Sequence, residues 1–133
     1  MTERQAISTP DAPAAVGPYS QAIRAGDFIF AAGQIGTDPV SGELVGASVT
    51  DQARQVLANL QAILITAGSG LDRAVKTTVF LTDIGDWPAV NEVYAELMPQ
   101  PYPARSAFAV RDLPKGAKVE IECVALSRVH DAS

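Results

Sequence analysis

Few residues in this chain are equipped for chemistry. Arg105 follows a proline-rich bend, Pro99 to Pro103, and Glu120 and Glu122 stand on the next apolar stretch. A guanidinium forks onto a carboxylate through two parallel hydrogen bonds, which fixes orientation as well as charge. A glutamate on a partly buried strand can hold a water and take its proton, because burial lifts its pKa toward the working range. Placed on facing strands of one hairpin, the same Arg105 and Glu120 could equally neutralise each other as an ion pair. Glu122 shares the face of Glu120 by strand alternation and competes for the role of base. Tyr19 follows a Gly-Pro loop, where it either closes the core with its hydroxyl at a wet edge or lines a pocket. Gly33 interrupts an apolar strand, marking a plain bulge or a close approach to the backbone. Asn91 lies beside the buried stripe of a predicted helix.

The usual machinery of covalent and metal-assisted catalysis is missing from the sequence. There is no G-x-S-x-G elbow, P-loop, G-x-G-x-x-G turn or H-x-x-x-H pair. The chain has one cysteine and one histidine, which excludes an internal disulfide and a multi-cysteine metal site. Cys123 falls on an apolar strand face and reads as core filler. His130 lies in a polar tail and reads as solvated. What remains is ligand binding plus general acid–base work through a positioned water. A net charge of −5 argues against a broad nucleic-acid or anionic-membrane footprint, which needs clustered Lys and Arg. No apolar run reaches membrane-spanning length, and MTERQAISTPDAPAA lacks the apolar core of a signal peptide. A cytoplasmic protein is expected.

The elements that must position these residues follow from periodicity. At 133 residues, with 47% hydrophobic and 19% charged, one domain over 1–133 is expected. Arg4 to Ser8 predicts a short strand, and Thr9 to Pro18 a loop broken by Pro10, Pro13, Gly17 and Pro18. Ser20 to Arg24 and Asp27 to Ile35 predict two strands joined at Ala25-Gly26-Asp27, and Thr37 to Glu43 a turn-rich loop. Val49 to Ala67 carries Ala53, Val56, Leu57, Leu60, Leu64 and Ala67 at helical spacing. Ser48 or Thr50 can cap this helix and Gly68 stop it, which leaves Asp51, Arg54, Asn59 and Gln61 toward solvent. Ala74 to Asp83 is rich in β-branched residues and predicts a long strand. Asp86 to Met98 predicts a second helix, capped by Asp86, with Pro88 in its first turn and Trp87, Val90, Tyr94, Leu97 and Met98 as its buried stripe. Arg105 to Val110 and Lys118 to Leu126 then read as a hairpin turning at Leu113-Pro114-Lys115-Gly116.

The resulting order predicts an α+β fold, a mixed β-sheet with two helices packed on one face. Two helices cannot cover two sheet faces. Val75, Thr77, Val79 and Leu81 compete with Phe80 for the core, and FIFAAG is apolar on both sides. Large exposed apolar faces are rare on monomers, so a closed homo-oligomer is expected.

Several stretches coincide with one family. Gly17-Pro18-Tyr19-Ser20-Gln21, Ala32-Gly33-Gln34-Ile35-Gly36, Val75 to Leu81, Val90-Asn91-Glu92-Val93-Tyr94, Pro103-Ala104-Arg105-Ser106, Leu113 to Gly116 and Val119 to Glu122 resemble, in order and spacing, the signatures of the RidA/YjgF family of reactive-intermediate deaminases. The similarity runs from about Ala6 to Leu126. It implies a chorismate-mutase-like fold and a homotrimer with ligand clefts between subunits. It also implies hydrolysis of 2-imino acids or their enamine tautomers, such as 2-aminoacrylate and 2-aminocrotonate, to 2-oxo acids and ammonia, without cofactor or metal. Carried over by position, Arg105 clamps the substrate carboxylate and Glu120 activates water. Tyr19 lines the cleft, backbone groups of Gly33 and Ala107 bond the imine or water, and Asn91 stands behind them. Ala32 replaces a Ser common in the family and Ala107 a Cys, which bears on rate and substrate preference. Two other functions fit the same cleft or the same family: a non-catalytic carboxylate-binding regulator, and a ribonuclease or translation inhibitor. The acidic balance and the missing His pair argue against the latter.

Overall fold

The computed structural model describes residues 3–128; His130 lies outside them. Strands β1 (Arg4–Ile7), β2 (Ala22–Ala25) and β3 (Phe28–Ile35) precede helix α1 (Val49–Thr66). Then come β4 (Ala74–Leu81), helix α2 (Trp87–Leu97), β5 (Ala104–Ala109) and β6 (Val119–Leu126). The six strands form one sheet in the order β1-β2-β3-β6-β4-β5. Only β4 and β5 run parallel, joined through α2; the other pairs are antiparallel. The expected mixed sheet is therefore present.

Alternation sorts the strands into two faces. Ile29, Ala31, Thr77, Val79, Leu81, Val119, Ile121, Cys123 and Ala125 are buried on the face that the helices cover. Val56, Leu57, Leu60, Ile63 and Leu64 of α1 and Val90, Val93 and Tyr94 of α2 complete that core. Burying a large aliphatic side chain contributes about 1.5–3 kcal/mol against exposure, so this layer holds the fold. The opposite face carries Phe28, Phe30 and Phe108, all more than two-fifths exposed. Phe80 stands there too, edge-on to Phe108 at 5.2 Å between ring centroids.

Four expectations need correction. β5 and β6 are not a hairpin. β6 pairs with β3 on one side and β4 on the other, while β5 lies outside β4. The chain from 110 to 118 crosses the end of β4, where Thr82 N–H donates to Lys118 C=O at 3.2 Å. The turn signal at Leu113 to Gly116 marks a reversal but not the strand beside which the chain lands. Asn59 does not face solvent. It is fully buried, donating to the carbonyls of Ile35 at 3.2 Å and Thr37 at 3.0 Å and accepting from Gln55 at 2.8 Å. Its amide supplies the donor for the Thr37 carbonyl just past β3 and a second donor for that of Ile35, which also accepts from Thr37 N–H. Asp86 does not cap α2 with its side chain; Asp83 instead accepts from Gly85 N–H and a 3-10 turn over Ile84–Asp86 leads into the helix. Leu97 and Val75 are each 37% exposed rather than core. Ser48 does cap α1, accepting from Asp51 N–H.

Candidate functional site

The expected site residues divide into two groups on opposite faces of the sheet. Arg105 stands on β5 across from Thr77, whose side chain is in the core, so Arg105 points to the helix-covered face at the sheet edge. Its Nη1 donates to Asn91 Oδ1 at 2.9 Å. Its Cζ lies 4.6 Å from the Trp87 ring centroid and 4.8 Å from that of Tyr94. Asn91, Tyr94, Ala95, Tyr102, Pro103 and Arg105 line an open cleft of about 340 Å³. Among the described residues no carboxylate pairs with Arg105, so most of its donors are left to a ligand.

Ala107 lies two residues further along β5, half-buried. Val110 N–H donates to Leu81 C=O. Strand alternation then turns the backbone groups of Phe108 and Ser106 toward β4, and those of Arg105, Ala107 and Ala109 toward the free edge. Ala107 thus offers an N–H and a C=O that no strand among the described residues takes up.

Glu120 belongs to the other face. It pairs in register with Phe80 of β4 and Ile35 of β3, both outward positions. It shares a second cleft, of about 320 Å³, with Tyr19, Gln34, Thr37, Val40 and Lys115. Tyr19 is half-exposed there. Gly33 sits where the β3–β6 register shifts between Ala31 and Gln34, so the bulge is real. The close approach is real as well: a Cβ on Gly33 would stand 2.9 Å from Glu120 Cδ. Burial, followed by the charge of Glu122, pushes the Glu120 carboxyl above its ordinary pKa. Glu122 is itself exposed and opposite Thr78, outside that cleft. Of the two glutamates only Glu120 has a concave, partly dry setting.

Arg105 and Glu120 therefore do not pair as neighbours of one hairpin. The sequence reading also missed the company each keeps. Trp87 and Tyr94 read as core stripe, yet their rings meet a guanidinium; their i, i+7 spacing with Asn91 between was the available signal. Lys115 belongs by residue type to the turn at Leu113 to Gly116. It adopts φ 58° and extends its ammonium to Gly42 C=O at 2.6 Å beside the Glu120 cleft. Cys123 is core, as expected, its thiol pushed up to about 12 by burial and then by Glu122. Such a thiol is inert at neutral pH. Among the described residues no group of His, Cys, Asp and Glu could hold a metal ion, and no helix is long and apolar enough to cross a membrane.

A family model described as Endoribonuclease L-PSP matches residues 9–127. The chain belongs to the RidA/YjgF family. It is 57% identical over 118 residues to the RutC family protein y4sK of Sinorhizobium fredii, covering 89% of this chain and 94% of that one. It is 49% identical over 123 residues to the 2-iminobutanoate/2-iminopropanoate deaminase of Homo sapiens, covering 92% and 90%. Among solved structures, E. coli TdcF with bound serine superposes with a TM-score of 0.88 at 42% identity, covering 92% of this chain and 98% of that one. The fold and the order of elements are thus those of the family, while the names its members carry differ.

Proposed function

We propose that this RidA-family chain is a 2-imino-acid deaminase that works as a homotrimer, with each active site built between two subunits. The observation that carries the reading is Arg105. Among the described residues no carboxylate pairs with its guanidinium, which lines an open cleft and, beyond the Nη1 bond to Asn91, keeps donors to offer a carboxylate. Relatives about 49% identical are named 2-iminobutanoate/2-iminopropanoate deaminases, and one structural relative was solved with an amino acid bound.

The division of the site supports the subunit arrangement. Arg105, Asn91 and the free edge at Ala107 form one half, and Glu120, Gly33 and Tyr19 form the other, with the sheet between them. Within one chain the halves cannot share a ligand; a second copy brings the missing half. The exposed phenylalanine face gives such copies an apolar surface to bury.

In this reading the substrate carboxylate lies on Arg105, which places C2 of the imine over the Glu120 half. Glu120 takes a proton from water as the oxygen bonds to C2 and the C=N electron pair moves to nitrogen. The proton returns to that nitrogen to give the C2 amino alcohol; the C2 hydroxyl then passes its proton through Glu120 to the nitrogen as the C=O bond forms and the C–N bond breaks, and ammonia and the 2-oxo acid leave. The raised pKa of Glu120 suits a group that must accept a proton and give it back. Backbone groups at Gly33 and Ala107 bond the water or the imine nitrogen, and Tyr19 closes the cleft.

The test is coupled. A dehydratase generates 2-aminoacrylate or 2-aminocrotonate, and imine decay is followed with and without the protein. Arg105→Ala is expected to lose most of the acceleration and Glu120→Ala less, because water attack keeps a background route. No acceleration by the wild type, or full activity in Arg105→Ala, refutes the deaminase. Tight binding of 2-oxobutanoate without turnover would establish a carboxylate-binding regulator instead. A monomer by sedimentation at micromolar concentration refutes the shared site.

A further inference from the structure

Trp87, Asn91 and Tyr94 follow i, i+4, i+7 spacing, so they form one line along α2, and Arg105 lies along that line. Two rings approach its Cζ, at 4.6 Å and 4.8 Å, and Asn91 Oδ1 accepts from Nη1 at 2.9 Å. Both rings belong to the size class and distance range in which the π-face attracts a guanidinium. Tyr94 is not free to move: it is 2% exposed, with its hydroxyl 2.7 Å from Thr77 Oγ1. Thr77 is also the residue directly opposite Arg105 in the β4–β5 register. One core residue therefore anchors the strand position of Arg105 and the ring beneath its side chain. Trp87 is the only tryptophan of the chain and packs half-buried against the core at the first turn of α2.

We propose that Trp87 and Tyr94 are positioning residues, a two-ring cradle that holds the Arg105 guanidinium plane in place before a ligand arrives. The inference rests on the reading of Arg105 as a carboxylate clamp. A guanidinium offers five N–H donors; Asn91 takes one and the π-faces take none. The donors left over stay in the plane that the rings set, which is the geometry a planar carboxylate needs for two parallel bonds. Ordering this long side chain in advance removes that cost from the binding step. The cradle also selects arginine: an ammonium has no plane to lie against the rings and no fork to present.

The test uses the full chain as wild type, Trp87→Leu, Trp87→Phe and Arg105→Ala. Guanidinium NMR reads the rings directly, and calorimetric titration with 2-oxobutanoate reads the clamp. In the wild type the Arg105 N–H signals, assigned by their loss in Arg105→Ala, are expected to be shifted upfield by the rings. Trp87→Leu should lose much of that shift and raise Kd about fivefold, the size of one exposed cation–π contact. Trp87→Phe, which keeps a ring, should stay within about twofold of wild type. Wild-type signals with no ring shift overturn the proposal, as does a Trp87→Leu protein with unaltered Kd or a Trp87→Phe protein as impaired as Trp87→Leu. A wild type that shows the ring shift but turns over no imine refutes the deaminase and leaves the cradle standing. Imine turnover with an unshifted guanidinium refutes the cradle alone.

Discussion

Gly33→Ala should separate the proposed catalysis from stability in this protein. A methyl built on Gly33 stands 2.9 Å from Glu120 Cδ and 3.1 Å from Cγ, with Oε2 nearer still. Carbon atoms rest about 3.5–4.0 Å apart, so the carboxylate must swing away by about 0.5–1 Å. The obstacle is the far end of a flexible, half-buried side chain, and the swing costs little in folding energy. Gly33 is not among the glycines at positive φ, so alanine suits its backbone and removes about 0.4–1 kcal/mol of unfolded-chain entropy. Stability should therefore stay within about 1 kcal/mol of wild type, or about 4 °C in Tm for a domain of this size. Catalysis has no such tolerance, because misplacing a reacting group by about 1 Å costs up to about 10²-fold. The expected outcome is a fall in kcat of about 10- to 100-fold in the dehydratase-coupled assay, an almost unchanged melting curve, and undiminished binding of 2-oxobutanoate at Arg105. A variant that keeps its kcat within twofold while melting normally would show that the Glu120 carboxylate is not where the water is activated. A large loss of Tm would show instead that the bulge itself demands glycine.

Three further outcomes follow from the same geometry. Arg105→Lys keeps the charge but loses the fork and the stacking plane, and KM should rise at least about tenfold, as for loss of one charge-assisted hydrogen bond. The carboxyl of Glu120 has its pKa raised by burial and then by Glu122, so kcat/KM should climb with pH through a limb above the ordinary carboxylate range. Glu122→Gln should move that limb to lower pH. For stability the sign runs the other way: a glutamate whose folded pKa exceeds its unfolded value disfavours folding once it ionises. Glu120→Gln should melt higher than wild type at pH 7, with the two curves converging once pH falls below the unfolded pKa. Asn59→Ala leaves the carbonyl of Thr37 without its donor, while that of Ile35 keeps the Thr37 N–H; urea unfolding should show a loss of about 1–3 kcal/mol.

Much of the architecture is local and legible from the chain. The stripe of α1 and its Ser48 cap, the β-branched run of β4, the bulge at Gly33 and the burial of Cys123 are written in spacing and residue type. Each depends on neighbours a few residues away. The mispredictions share a different cause. Asn59 looks like a surface amide until the end of β3 brings the Ile35 and Thr37 carbonyls to it. Tyr94 is core and Trp87 packs against it, as their spacing predicts, but that their rings also meet Arg105 is decided by a strand that follows in sequence. Neither partner can be inferred from helical periodicity alone.

From residue types alone came the chemical repertoire: an arginine able to pair with a carboxylate, glutamates able to act as base, none of the familiar motifs of covalent or metal-assisted catalysis, and more apolar sheet surface than two helices can cover. Only the tertiary structure decided how these parts are distributed. Strand order is set by backbone pairing over the whole sheet, and it sends β6 to the centre and β5 to the edge. Arg105 and Glu120, which a hairpin would have set on facing strands as an ion pair or as clamp and base, are thereby held on opposite faces. Each therefore lies in its own open cleft, Arg105 at the sheet edge and Glu120 beside the bulge of β3.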